Sequence, residues 1–97
     1  MSLLNEVIWS ELAQDTYIQF LKYLLDNNKS NVAIAFDEKV ESLIERLQQF
    51  KELCPPSNKI KQFRKCVINA QVSLVYRTSN NLVEIVAFID NRSKHNY

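Results

Sequence analysis

The sequence has no glycine at all, and its 97 residues include only two prolines, two cysteines and one histidine. Without glycine, any turn that needs a positive φ must recruit asparagine, which tolerates the left-handed region better than most residues. One histidine and two cysteines twelve positions apart, with no CxxC pair, leave a zinc site short of ligands. No metal and no cofactor is therefore expected. The thiols of Cys54, ahead of Pro55-Pro56, and Cys66, in a strand-like run, are expected to be free. No apolar run approaches the ~18 residues of a membrane span. The opening "MSLLNEVIW" has neither the basic start nor the apolar stretch of a signal peptide. A cytoplasmic protein without a membrane partner is expected.

What is present fits one domain over residues 1–97, with 46% hydrophobic and 24% charged residues. The formal charge of +1 conceals an uneven chain. Residues 1–50 carry four Lys/Arg against eight Asp/Glu, a net of −4, and residues 51–97 carry eight against three, a net of +5. Such asymmetry produces a local field that attracts polyanions.

Along the chain, Val7-Ile8-Trp9 reads as a short strand, followed by Ser10 as an N-cap and Glu11 in the first helical turn. Ala13, Tyr17, Phe20, Leu21 and Leu24 then recur at helical spacing until Asp26-Asn27-Asn28. A second helix, capped by Ser30 or Asn31, carries the stripe Val32, Phe36, Val40, Leu43, Ile44, Leu47 and Phe50. After Pro55-Pro56 the period changes to two. Phe63, Lys65 and Val67 of "QFRKCVIN" fall on one side, and Arg64, Cys66 and Ile68 on the other. "VSLVYRT" and "LVEIVAFI" complete the strands, with turns at Asn69-Ala70-Gln71 and Ser79-Asn80-Asn81. The expected fold is α+β in the order β-α-α-β-β-β: an antiparallel sheet with an N-terminal helical hairpin packed on one face. Trp9, Tyr17, Phe20 and Phe36 are spaced as core, not as platforms for bases.

The stretches "VIWSELAQD", "CPP", "FRKCVIN", "SLVYR" and "AFIDNR", in this order, resemble the RelE/ParE family of bacterial toxins from type II toxin–antitoxin systems, and the ParE-like branch most. The resemblance covers nearly the whole chain. It implies a cognate antitoxin as partner, and either a possible homodimer or a toxin–antitoxin heterotetramer. RelE-type members cut ribosome-bound mRNA without a metal: a ribose 2′-hydroxyl attacks the neighbouring phosphate while cations and a general acid/base assist. By that resemblance the catalytic candidates are Arg64 on the second strand, Arg92 after the last strand, and His95 and Tyr97 at the close of the chain, conditional on RNase activity. Two positions depart from the pattern. Cys66 stands where a second strand cation is expected, and Ser73 where an arginine precedes Leu74-Val75-Tyr76. ParE-type members lack this set and act by binding DNA gyrase.

Whatever the target, Lys59, Lys61, Arg64, Lys65, Arg92 and Lys94 are the candidate binding cations, although a charge run of this kind also fits a solvated strand end. Three functions follow. The first is a gyrase-directed toxin, the second a ribosome-dependent mRNA endonuclease, and the third a non-toxic binding module on the same scaffold.

Overall fold

A computed structural model of the chain describes residues 4–93 and 97. Strand β1 (Glu6–Trp9) leads into helix α1 (Glu11–Asp26) and helix α2 (Ser30–Gln49), and strands β2 (Arg64–Val67), β3 (Val72–Ser79) and β4 (Leu82–Asp90) follow. The sheet order is β1-β4-β3-β2. Neighbours β2–β3 and β3–β4 are antiparallel as expected, but β1 lies parallel to β4, from Glu6 opposite Leu82 to Trp9 opposite Ile85. The sheet is therefore mixed, which corrects the all-antiparallel expectation. The reason lies in the connection: two helices between β1 and β2 form a crossover long enough to bring the chain back in the same direction.

Ser10 is the N-cap of α1, its Oγ accepting from the Ala13 N–H at 3.0 Å. The same hydroxyl donates to the Val86 carbonyl at 2.7 Å, and Thr16 Oγ1 accepts from the Phe88 N–H at 2.9 Å. Both contacts lie at a β-bulge. Val75 pairs with Ala87 and Tyr76 with Ile85, so Val86 is an extra residue with no partner in β3. Two short hydroxyl side chains of α1 thus satisfy backbone groups of β4 where the strand ladder is disturbed, and they pin the helix to the centre of the sheet.

The helix connection turns on Asn28 (φ 58°) and the β3–β4 hairpin on Asn80 (φ 52°), so asparagine does take both positive-φ positions. The N-cap of α2 is Lys29, not Ser30 or Asn31, and no side chain bonds across it. Ser30 is already inside the helix because Asn28 reverses the chain one residue earlier. Of the expected α2 stripe, Phe36, Val40 and Leu47 are buried, whereas Val32 and Phe50 are exposed and Ala33 is buried instead. Ala33 lets the helix approach closely where Val32 turns outward.

The helix-covered side of the sheet holds the main core: Leu74, Tyr76, Val83, Ile85 and Phe88 against Ala13, Phe36, Val40 and Leu47. Trp9 meets Tyr17 edge-on with ring centroids 5.2 Å apart, and Tyr17 stacks on Phe36 at 5.6 Å. These aromatics are core, as their spacing predicts. No described helix is long and apolar enough to cross a membrane.

Candidate functional site

The segment between α2 and β2 folds back along the outer edge of β2. The Lys65 N–H donates to the Pro55 carbonyl at 3.1 Å and the Ser57 N–H to the Phe63 carbonyl at 2.7 Å. Cys54 is joined to Cys66 by a disulfide, with Cα atoms 5.3 Å apart. The expectation of two free thiols is therefore corrected. Twelve positions of sequence separate the pair, yet the folded-back loop lays Cys54 against the second strand.

Cys54 is fixed by more than its sulfur. Its N–H donates to the Tyr76 hydroxyl at 3.2 Å, and its carbonyl accepts from Arg64 Nη1 at 2.6 Å. The Tyr76 hydroxyl donates in turn to the Lys51 carbonyl at 2.9 Å. Tyr76 is wholly buried. That burial pushes its phenol pKa above 10.0, while the Cys54 N–H and the Arg64 charge pull it partly back. Tyr76 lies on the face opposite Val75, and nothing in the local sequence marks its hydroxyl as an anchor for a loop distant in the chain.

The basic candidates therefore divide. Lys59 and Lys61 are exposed on the loop, Arg64 turns to the helix side toward Cys54, and Lys65 shares the other sheet face with Val75, its partner in β3. Arg92 lies in the turn after β4. Its N–H donates to Asp90 Oδ1 at 2.8 Å and its Nε reaches the same oxygen at 3.3 Å. The backbone hydrogen bond first, and then the guanidinium, hold the Asp90 carboxyl below its ordinary 3.8. Asp90 in return raises the Arg92 pKa. This pair sits at the rim of a cavity of about 280 Å³ whose apolar walls include Phe20, Leu24 and Phe36, with Tyr23 beside them.

Tyr97 is elsewhere. It packs with Phe63, ring centroids 5.7 Å apart, over a small second cluster of Val75, Ala87 and Ile89 on the sheet face away from the helices. Arg64, Arg92 and Tyr97 thus occupy three separate neighbourhoods, whereas Lys94 and His95 lie outside the described residues. Ser73, at the other departing position, is buried, and its Oγ donates to Asn91 Oδ1 at 2.6 Å. Arg77 and Glu84, directly opposed in β3 and β4, form an exposed ion pair. Among the described residues no group of three or more His, Cys, Asp or Glu side chains is gathered to hold a metal ion. Sequence reading missed the Asp90 partnership, although Asp-Asn-Arg is the spacing at which an aspartate accepts from the backbone two residues on.

Residues 7–95 match the profile of the ParE toxin of type II toxin-antitoxin systems, parDE. No protein of curated function matches the sequence. Among solved structures, a chain of the chromosomal ParDE system from P. aeruginosa superposes with a TM-score of 0.75 at 12% identity, covering 92% of this chain and 98% of that one. The YoeB/ParE toxin from Agrobacterium tumefaciens follows at TM-score 0.64 and 16% identity, over 89% and 98% of the two chains. The YoeB dimer from Staphylococcus aureus gives 0.59 at 22% identity, over 99% and 100%. At these identities the superpositions speak for the fold alone.

Proposed function

Since the chain belongs to the ParE toxin family of type II toxin–antitoxin systems, we propose that this toxin acts by binding DNA gyrase and is held inactive by a cognate antitoxin. The observation that carries the gyrase reading is the state of the two departing positions. Where the RNA-cleaving branch would carry cations, Cys66 is bonded to Cys54, and Ser73 is buried and bonded to Asn91. A phosphate in an RNA site needs donors already aimed at its oxygens, and removal of one such donor costs about 3–4 kcal/mol of transition-state stabilisation. Arg64, the strand cation among the catalytic candidates, directs its guanidinium at a backbone carbonyl.

The cations that remain suit binding. Lys59 and Lys61 stand on the loop, Lys65 lies on the open sheet face, and Arg92 is in the turn after β4. Cations placed toward solvent favour a partner carrying DNA. The P. aeruginosa neighbour comes from a ParDE toxin–antitoxin system, which supports an antitoxin as the natural partner.

The test is direct. Purified protein added to gyrase and plasmid should trap cleaved DNA or block supercoiling at micromolar concentration, and Lys59→Ala with Lys61→Ala should weaken the effect. An inert protein in that assay overturns the reading. New mRNA ends after induction, lost in Arg92→Ala with the fold intact, would replace it with ribosome-dependent RNA cleavage.

A further inference from the structure

We propose that the Cys54–Cys66 disulfide is a redox latch. Closed, it holds the lysine-bearing loop between α2 and β2 against the sheet; opened by a dithiol, it frees that loop while the helix-and-sheet body stays folded. Three observations carry this. First, the bond joins the loop to β2 at Cys54, whose N–H and carbonyl are also held by side chains of the sheet, Tyr76 and Arg64. Second, the loop supplies none of the large fully buried side chains of the body. The largest fully buried side chains, including Tyr76, Phe88, Leu47 and Leu74, all belong to α2, β3 and β4, and the loop adds to the main core only the partly buried Leu53 and Cys54. Third, the two cysteines differ in exposure, Cys54 being a partly exposed residue and Cys66 only 3% exposed.

The chemistry is thiol–disulfide exchange. A thiolate of a small dithiol attacks Cys54 Sγ, the Sγ–Sγ bond breaks, and Cys66 leaves as a thiolate that takes up a proton. The second thiol of the reductant then displaces Cys54, so that two electrons and two protons pass to the protein and the reductant becomes a disulfide. A reversible latch fits the proposed gyrase target, and on this point alone it rests on that reading. The compartment that holds DNA is kept reducing, and disulfides found there are as a rule transient or redox-sensing.

The experiment compares oxidised and dithiothreitol-treated full-length protein under limited trypsin digestion, with fragments read by mass spectrometry. Reduction should speed cleavage after Lys59 and Lys61 by about tenfold or more, as local release of one segment does, and leave cleavage after Lys22 and Lys39 in the helices unchanged. In glutathione buffers graded from oxidising to the cell's own poise, the bond should pass from closed to open. The Cys54→Ser chain should show the fast loop cleavage without reductant. If that variant does not fold, the reduced wild type decides the matter. Equal cleavage in both forms overturns the latch, as does a bond that stays closed throughout the glutathione series. Cleavage that spreads to Lys22 and Lys39 overturns it too, since the bond then staples the whole fold. No arm uses gyrase, so failure of the target assay and failure of the latch are separate results.

Discussion

The two faces of the sheet are built differently. On the helix side, α1 and α2 cover Leu74, Tyr76, Val83, Ile85 and Phe88, and the Tyr76 hydroxyl meets both Lys51 and Cys54. On the other side the buried apolar residues among those described are Val75, Ala87 and Ile89, beside the buried Ser73 that pairs with Ile89, with Phe63, Val86 and Tyr97 packed over them. One face is a core in the ordinary sense. The other is a small apolar strip partly closed by Tyr97, and along it lie Lys65 and the Arg77–Glu84 pair. The difference teaches where the stability of the molecule resides, which is on the covered face.

The sharpest way to break that comparison is to remove one large side chain from each face. Phe88 is 2% exposed and lies within an aromatic cluster, 5.3 Å from both Trp9 and Tyr17 between ring centroids. Phe88→Ala should cost about 3–5 kcal/mol, a large share of what a domain of this size has. Tyr97→Ala on the open face removes a partly buried ring and should cost about 1 kcal/mol, in line with one aromatic contact. Urea denaturation of both variants measures the contrast. Equal losses would mean that the tail residue is as central to the fold as the aromatic core.

A smaller effect probes the polar anchor of the covered face. Tyr76→Phe keeps the ring but leaves the Cys54 N–H and the Lys51 carbonyl without the hydroxyl, at a cost of about 1–2 kcal/mol. The pH dependence has a definite sign. Burial raises the folded pKa of Tyr76 above 10.0, so its contribution is complete below pH 10 and is lost as the pH rises through the folded value. Stability of the wild type measured from neutral to strongly alkaline pH should contain this loss, and the Tyr76→Phe curve should lack it. Parallel curves would remove Tyr76 as the source.

Most of the covered face was legible in the sequence. The Ser10 cap, the helical spacing of Tyr17, Phe20 and Phe36, and the assignment of the two positive-φ turns to asparagine all follow from local chemistry, and local chemistry acts over a few residues. The element order followed as well. What was not legible depends on contacts distant in sequence. Whether β1 adds to the sheet parallel or antiparallel is decided by a partner 76 positions away, and four residues of alternating burial look alike in both directions. The disulfide was missed because a spacing of twelve fits two free thiols as well as a bonded pair, until the loop folds back on β2. The candidate site fared similarly. Strand alternation correctly divided Arg64 from Lys65, but nothing in the spacing said that Arg64 would meet the Cys54 carbonyl or that Arg92 would meet Asp90.

The Asp90–Arg92 pair gives the smallest expected effect, and it tests how the turn after β4 is held. Asp90 accepts from the Arg92 backbone and side chain, which lowers its carboxyl pKa below 3.8. A depressed folded pKa means that the stabilisation is present above the unfolded value and is lost as the pH falls through the folded one. The Arg92 guanidinium is largely exposed, so solvent screens the pair and its share of total stability is slight. An NMR titration of the Asp90 carboxyl isolates the effect. In Arg92→Ala the backbone N–H remains, so the midpoint should rise toward the ordinary carboxylate value but stay below it, because the larger of the two causes is intact. A full return to the ordinary value would assign the whole shift to the guanidinium. An unchanged midpoint would mean that Arg92 owes nothing of its position to Asp90. Its guanidinium would then be free to turn toward the cavity beside Tyr23, or toward whatever partner covers that rim.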